Sequence, residues 1–317
     1  MRNVLLYEPM DEAGIQYLGA HNCELVFAKS LGEEWLIQAV KDIDAIIIRA
    51  NGSVSSKLMD AAPGLRVIGR HGVGVESIDL DAAAERGIYV VNTPDANTEA
   101  VAETTMGLML AAAKRICEAN QSLRSGNWDA RYSLIGTDLA GKTLGVIGFG
   151  RIGRRIAQIA HGGFRMKITF YDVAEIESEF EQVELVELLA RADFVSVNLP
   201  LTPQTKGLLS RERLQQAKKG CCLVNTSRGN IVDEQAVSDL VDQEHFLGGA
   251  FDVYSKEPAS PNNPVIRNPR IVTLPHMAAH SREAMMAMSM VAKDVVRVLD
   301  GQLPIYPVIS PNKPKRA

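Results

Sequence analysis

The chain has 317 residues, 46% hydrophobic and 23% charged, with a formal net charge of −4 at pH 7. This composition excludes a disordered chain, and the length exceeds what one core ordinarily holds, so two domains are expected. The charge gives no electrostatic reason for nucleic acid as a partner, and no stretch reaches the roughly 20 apolar residues that a membrane span needs.

In chain order, short β-rich runs alternate with helical stretches. Strands are expected at Val4–Tyr7, Glu24–Phe27, Ala45–Ile48, Val67–Gly69 and Tyr89–Val91, with helices such as Glu33–Val40 and Leu80–Arg86 between them. The N-terminal apolar run is broken by Glu8 and Asp11, too early for a signal peptide. An Ala- and Met-rich stretch from Thr98 to Gln121 is apolar nearly all round and predicts one long buried helix. A polar, irregular piece, Ser125–Gly141, follows. Strands resume at Thr143–Gly148, Ile168–Asp172, Phe194–Leu199, Cys222–Thr226, Gly249–Val253 and Ile271–Leu274, and a last helix runs Arg282–Leu299. The tail Pro311–Ala317 is rich in Pro and Lys and is expected to fray. Strands alternating with helices imply an α/β fold of two doubly wound parallel sheets. The four cysteines, Cys23, Cys117, Cys221 and Cys222, form no CxxC pair or disulfide framework. Buried reduced thiols, no metal site and a cytoplasmic location are expected.

The strongest local signal is Gly148-Phe149-Gly150-Arg151-Ile152-Gly153, a GxGxxG between an apolar strand and a helix. The first glycine suits a tight turn, the second lets backbone approach a pyrophosphate, and the third lets helix and strand pack closely. Asp172 follows Gly153 by 19 residues at the end of the next strand. A carboxylate there accepts hydrogen bonds from ribose hydroxyls and repels a 2′-phosphate, which favours NAD over NADP.

Three polar residues lie just past later strands: Arg228, Glu257 and His276. Open parallel sheets bind ligands outside the carboxyl ends of their strands, so the three can share one site. Hydride loss from a C–OH carbon must be matched by removal of the hydroxyl proton. A histidine does this near neutral pH, a carboxylate steadies its charged form, and an arginine grips a substrate carboxylate in two-pronged fashion.

The series GFGRIG, FYD, NTSRGNIVDE, AFDVYSKEP and LPHMAAHS resembles the D-isomer-specific 2-hydroxyacid dehydrogenase family, and the resemblance covers nearly the whole chain. The resemblance implies catalytic roles for Arg228, Glu257 and His276. It implies NAD contacts at Arg151, Ile152, Asp172, Leu199, Thr226 and Asp252, with Asp252 holding the nicotinamide carboxamide. Backbone amides at Val73-Gly74 would hold the substrate carboxylate. It also implies a substrate-binding domain of residues 1–98 plus 286–317, an NAD-binding Rossmann domain of residues 99–285, a cleft between them, and a homodimer joined through Ser125–Lys142. The segments Gly69–Val75, Ser77–Leu80 and Leu123–Trp128 are similar to the phosphoglycerate dehydrogenase branch, for which Arg49, Arg70 and also Arg131 would serve a phosphate. This makes 3-phosphoglycerate and 3-phosphohydroxypyruvate the first substrate expectation.

His71, Glu76 and the Met277–His280 loop depart from that branch, so a glyoxylate or hydroxypyruvate reductase stays open. Glu257 argues against a formate dehydrogenase, whose histidine pairs with Gln. A non-enzymatic NAD-sensing protein, which can keep all three polar residues, stays open as well.

Overall fold

The computed structural model describes residues 1–311. The chain divides into two compact units, one of Met1–Asn97 with the segment from His280 onward, the other of Thr98–Ala279. The first unit begins with strands β1 (Arg2–Leu6), β2 (Cys23–Phe27), β3 (Ala45–Ile48), β4 (Val67–Arg70) and β5 (Tyr89–Val91). The second holds β6 (Thr143–Ile147), β7 (Lys167–Tyr171), β8 (Glu181–Gln182), β9 (Phe194–Val197), β10 (Cys221–Asn225), β11 (Phe246–Phe251) and β12 (Ile271–Thr273). A final strand, β13 (Pro307–Ile309), returns to the first unit.

The first sheet has the order β13-β5-β4-β3-β1-β2, parallel throughout except for antiparallel β13 on β5. Successive side chains of a strand point to opposite faces, and β3 shows the result. Ile46 and Ile48 join one apolar cluster with Leu36, Leu58 and Ile68, while Ala45 and Ile47 join another with Val4, Leu6 and Val67. The second cluster is closed by the helix Val291–Leu299, through Val291, Val295, Val298 and Leu299.

The second sheet, β12-β11-β10-β9-β6-β7-β8, is wholly parallel. Its two faces separate in the same way. Val195, Val197 and Leu223 pack with the helix Glu234–Asp242, and Val146, Phe170 and Val224 pack with the helices Thr98–Ala113 and Arg151–Phe164. Continuous apolar strands covered on both sides are what a parallel sheet requires.

Three expectations need correction. The stretch Thr98–Gln121 is two helices, Thr98–Ala113 and Ile116–Arg124, broken at Arg115 with φ of +55°. The second has no buried residue, so apolar burial ends at Ala113. The last helix is also divided, into Arg282–Ser289 and Val291–Leu299. The Ser289 hydroxyl donates one turn back to the Met285 carbonyl while accepting the Asp11 amide, a side-chain bond of the kind that bends helices. Cys117 is exposed, whereas the other three cysteines are buried. The short edge strands β8 and β13 had no sequence signal. The tail 312–317 lies outside the described residues. Among those described, no helix is long and apolar enough to cross a membrane, and no group of His, Cys, Asp or Glu is placed to hold a metal ion.

Candidate active site

All strands of the second sheet run one way, so their carboxyl ends share one edge. From β12 to β7 that edge presents, in sheet order, His276, then Asp252 and Glu257, then Thr226 and Arg228, then Leu199, Gly148 and Asp172. At about 4.8 Å per strand, five steps make a row of roughly 24 Å. The chain leaves β6 for β7 on one side and resumes at β9 on the other, which makes β6/β9 the point where the winding reverses.

The glycines at that point have distinct steric duties. Gly148 has φ of +88°, and a Cβ there would lie 2.7 Å from the Asn198 carbonyl oxygen and 2.8 Å from Leu199 Cδ2. A Cβ on Gly153 would lie 2.1 Å from the Gly148 carbonyl oxygen, so only glycine allows the helix to meet the turn. Around Gly150 a Cβ would meet nothing within 4 Å. Gly150 caps the helix Arg151–Phe164 without any side-chain hydrogen bond. Uncapped amides and the helix dipole face that open space, and both favour an anion. Arg151 and Ile152 form the first turn, Arg151 exposed and Ile152 half-buried against the apolar cluster. The Asp172 carboxylate accepts the Phe149 amide at 2.8 Å and the Ala174 amide at 3.2 Å. Each of its oxygens keeps a second lone pair. These residues fit a dinucleotide: an open cradle of amides for the pyrophosphate, with a fixed acid at the end of the next strand.

At the other end of the row, His276 Nδ1 lies 2.7 Å from Glu257 Oε2. That bond raises the His276 pKa above the ordinary histidine value, against the opposing effect of burial. Burial alone would raise the Glu257 carboxyl, but hydrogen bonds from His276 and the Tyr254 amide outweigh it and hold its pKa below the usual value. Arg228 acts on both, stabilising ionised Glu257 and opposing protonation of His276. The three candidate catalytic groups therefore stand in one electrostatic neighbourhood.

Backbone geometry sets this pair. His276 has φ of +53°, a left-handed conformation costing a non-glycine residue on the order of 1 kcal/mol. Its amide donates to the Asp252 carbonyl at 2.8 Å, and the next two amides, of Met277 and Ala278, donate to the Asp252 carboxylate at 2.7 and 2.8 Å. Asp252 is 1% exposed, and burial raises its pKa despite these bonds. It thus holds the histidine turn, a duty the sequence reading did not assign to it. Thr226 pairs with Thr105 at 2.9 Å, and since the Thr105 hydroxyl donates to the Val101 carbonyl, Thr226 is the donor. Arg228 donates to the Ser227 carbonyl, and its own carbonyl accepts from Asn225. A Cβ on Gly229 would lie 1.9 Å from the Tyr254 carbonyl carbon, so glycine there lets the Arg228 loop lie against the Glu257 loop. Tyr254 then ties that loop to the His276 strand through its hydroxyl, 2.7 Å from the Leu274 carbonyl. Thr105 and Tyr254 carried no sequence signal, since each acts through a contact that only the fold creates.

The candidate substrate residues of the first unit form a different kind of site. Arg49 donates to the Pro9 carbonyl at 2.9 Å and approaches the Met285 sulfur. Arg70 donates to the His71 carbonyl at 2.6 Å and the Gly74 carbonyl at 2.5 Å. Thr93 donates to the Gly72 carbonyl, and Asn92 to that of Val73. Every carbonyl from His71 to Gly74 is thus engaged, while the amides of Val73, Gly74 and Val75 meet no acceptor among the described residues.

A doubly wound parallel sheet with a glycine cradle and a row of polar strand ends defines the dinucleotide-binding class of α/β protein. Residues 106–278 match the family described as D-isomer specific 2-hydroxyacid dehydrogenase, NAD binding domain. The D-3-phosphoglycerate dehydrogenase of Archaeoglobus fulgidus is 40% identical over 308 residues, 95% of this chain and 58% of that protein. The glyoxylate reductase of Thermofilum pendens is 38% identical over 89% of this chain and 87% of its own length. The crystal structure of the TT0316 protein from Thermus thermophilus superimposes with a TM-score of 0.92 at 35% identity, covering 97% of this chain and all of that one. The chain belongs to the D-isomer specific 2-hydroxyacid dehydrogenase family. It spans about three-fifths of the length of the archaeal phosphoglycerate dehydrogenases it matches.

Proposed function

We propose that the protein is an NAD-dependent oxidoreductase interconverting a small D-2-hydroxy acid and its 2-keto acid, with 3-phosphoglycerate and 3-phosphohydroxypyruvate as the pair. The observation that carries the reaction class is the His276–Glu257 bond of 2.7 Å on the same sheet edge as the glycine cradle. NAD, when bound, supplies the hydride acceptor in one direction and the donor in the other.

The chain's own residues do the rest. Gly148, Gly150 and Gly153, with the first helical turn at Arg151 and Ile152, hold the pyrophosphate, and Asp172 takes the ribose hydroxyls. Leu199, Thr226 and Asp252 border the nicotinamide end. Arg228 aligns the substrate carboxylate and polarises the C2 oxygen. His276 gives that oxygen a proton during reduction and takes one from the hydroxyl during oxidation, and Glu257 steadies the imidazolium. Val73 and Gly74 offer amides to the substrate carboxylate, and Arg49 with Arg70 serves the phosphate. In this reading the first unit is the substrate-binding domain and the second the NAD-binding domain. The exposed side chains of Trp128, Tyr132 and Ile135, 62%, 69% and 75% accessible, support a homodimer joined through Ser125–Lys142.

A second reading, an unphosphorylated 2-keto acid such as glyoxylate or hydroxypyruvate, draws on one observation: Arg70 already spends two donors on backbone carbonyls. Steady-state NADH oxidation with glyoxylate, pyruvate, hydroxypyruvate and 3-phosphohydroxypyruvate, repeated with NADPH, tests both. The first reading requires the highest kcat/KM with the phosphorylated acid and NADH. A preference for an unphosphorylated acid selects the second, and no turnover with any of them returns the protein to NAD sensing.

A further inference from the structure

Glu234, on the first turn of the helix Glu234–Asp242, is 7% exposed, and no lysine or arginine among the described residues pairs with it. A buried carboxylate without a cation is costly unless hydrogen-bond donors replace its water. Three neutral donors do so here. The Ser255 amide lies 2.6 Å from Oε1, and the Ser255 hydroxyl and Asn263 Nδ2 each lie 2.8 Å from Oε2. The Ser255 carbonyl in turn accepts from Asn230 at 3.2 Å. Ser255 is therefore held on both sides of its peptide, in the turn where the Tyr254 amide donates to Glu257 Oε1 at 3.0 Å.

We propose that Glu234 is a positioning residue for the acid–base pair: by gripping Ser255 it fixes the turn that holds Glu257 against His276. The role rests on the reading of His276 as the proton carrier. It explains why an acid and not an amide stands at this buried position. A glutamine of the same shape would turn an NH2 group toward one of three donors and lose that bond. Helix-dipole stabilisation alone would ask only for an exposed acid in the first turn.

The test is the proton affinity of His276, followed by NMR of the imidazole Cε1–H in the full chain. With six histidines in the sequence, His276→Asn assigns the signal. Glu257 and Asp252 favour the charged ring, and Arg228 and burial oppose it, so loosening of Glu257 reads as a lower midpoint. In Glu234→Gln the midpoint is expected to fall toward the ordinary histidine value, with kcat/KM for 2-keto acid reduction down roughly 10-fold and NADH affinity unchanged. Ser255→Ala, which keeps the backbone bond, should show a smaller fall in the same direction and serves if Glu234→Gln does not fold. A midpoint unmoved in the folded variants overturns the proposal, even if activity drops. A wild-type protein that turns over no 2-keto acid refutes the proposed activity instead, and the NMR midpoint still decides the role of Glu234.

Discussion

In the second unit the candidate catalytic groups act on one another: His276 on Glu257, with Arg228 felt by both. In the first unit the candidate arginines act on the chain itself, Arg49 on the Pro9 carbonyl and Arg70 on the carbonyls of His71 and Gly74. The difference separates two ways of presenting chemistry. One places ionisable side chains where their pKa values are tuned. The other uses side chains to pin carbonyls, leaving the amides of Val73, Gly74 and Val75 without an acceptor among the described residues. A charged residue beside a loop can thus shape its backbone as well as carry a charge.

The largest expected effect tests the first half of this contrast. His276→Ala should lower kcat by roughly 10²–10⁴, the usual range for a general acid–base group, while NADH still binds. Stopped-flow fluorescence with steady-state rates checks both parts, and near-normal turnover would remove His276 from the chemistry.

The next effect contrasts two histidines. His71 is 3% exposed and bonded to Ser289 at 3.1 Å, and burial chiefly, with Arg49 and Arg70 nearby, lowers its pKa from 6.5 to about 4 against the opposing effects of a backbone hydrogen bond and Glu8. A base depressed in the folded state binds more protons when unfolded, so its contribution is present above pH 6.5 and is lost as pH falls toward 4. That loss amounts to roughly 3 kcal/mol. Urea melts across this range should show His71→Gln losing less stability than the wild type; equal slopes would contradict the assignment. The His276 pKa is raised instead, so 2-keto acid reduction, which needs the protonated ring, should persist above pH 6.5 and fall only through the raised value.

The smallest effect sharpens the second half of the contrast. If Arg70 serves the phosphate as proposed, Arg70→Lys should raise KM about 10-fold for the phosphorylated acid alone, with kcat little changed. An equal rise for unphosphorylated acids would make Arg70 a brace of the loop and remove it from the phosphate.

The glycine cradle was legible because each glycine answers a local steric demand, and the strand-end trio because parallel sheets gather their carboxyl ends. β3 was read to the residue, since a run of four fully buried apolar residues has little freedom. Glu234 was not legible: an acid on a first helical turn reads as a dipole partner, and its three donors come from residues 21 to 29 positions away. The engagement of Arg70 depends on which way loop carbonyls point, which side-chain patterns do not encode. The helix break at Arg115 was missed because the change from buried to exposed surroundings is tertiary.

The helix Val291–Leu299 also bears on synthesis. It closes one face of the first sheet, over Val4, Leu6, Ile47 and Val67, yet it leaves the ribosome after the whole of Thr98–Ala279. The opening 97 residues can form their strands early but must leave that apolar face wet until the closing helix arrives, while the intervening unit completes its own core first. Order of emergence and order of completion are therefore opposed for this face of the first unit.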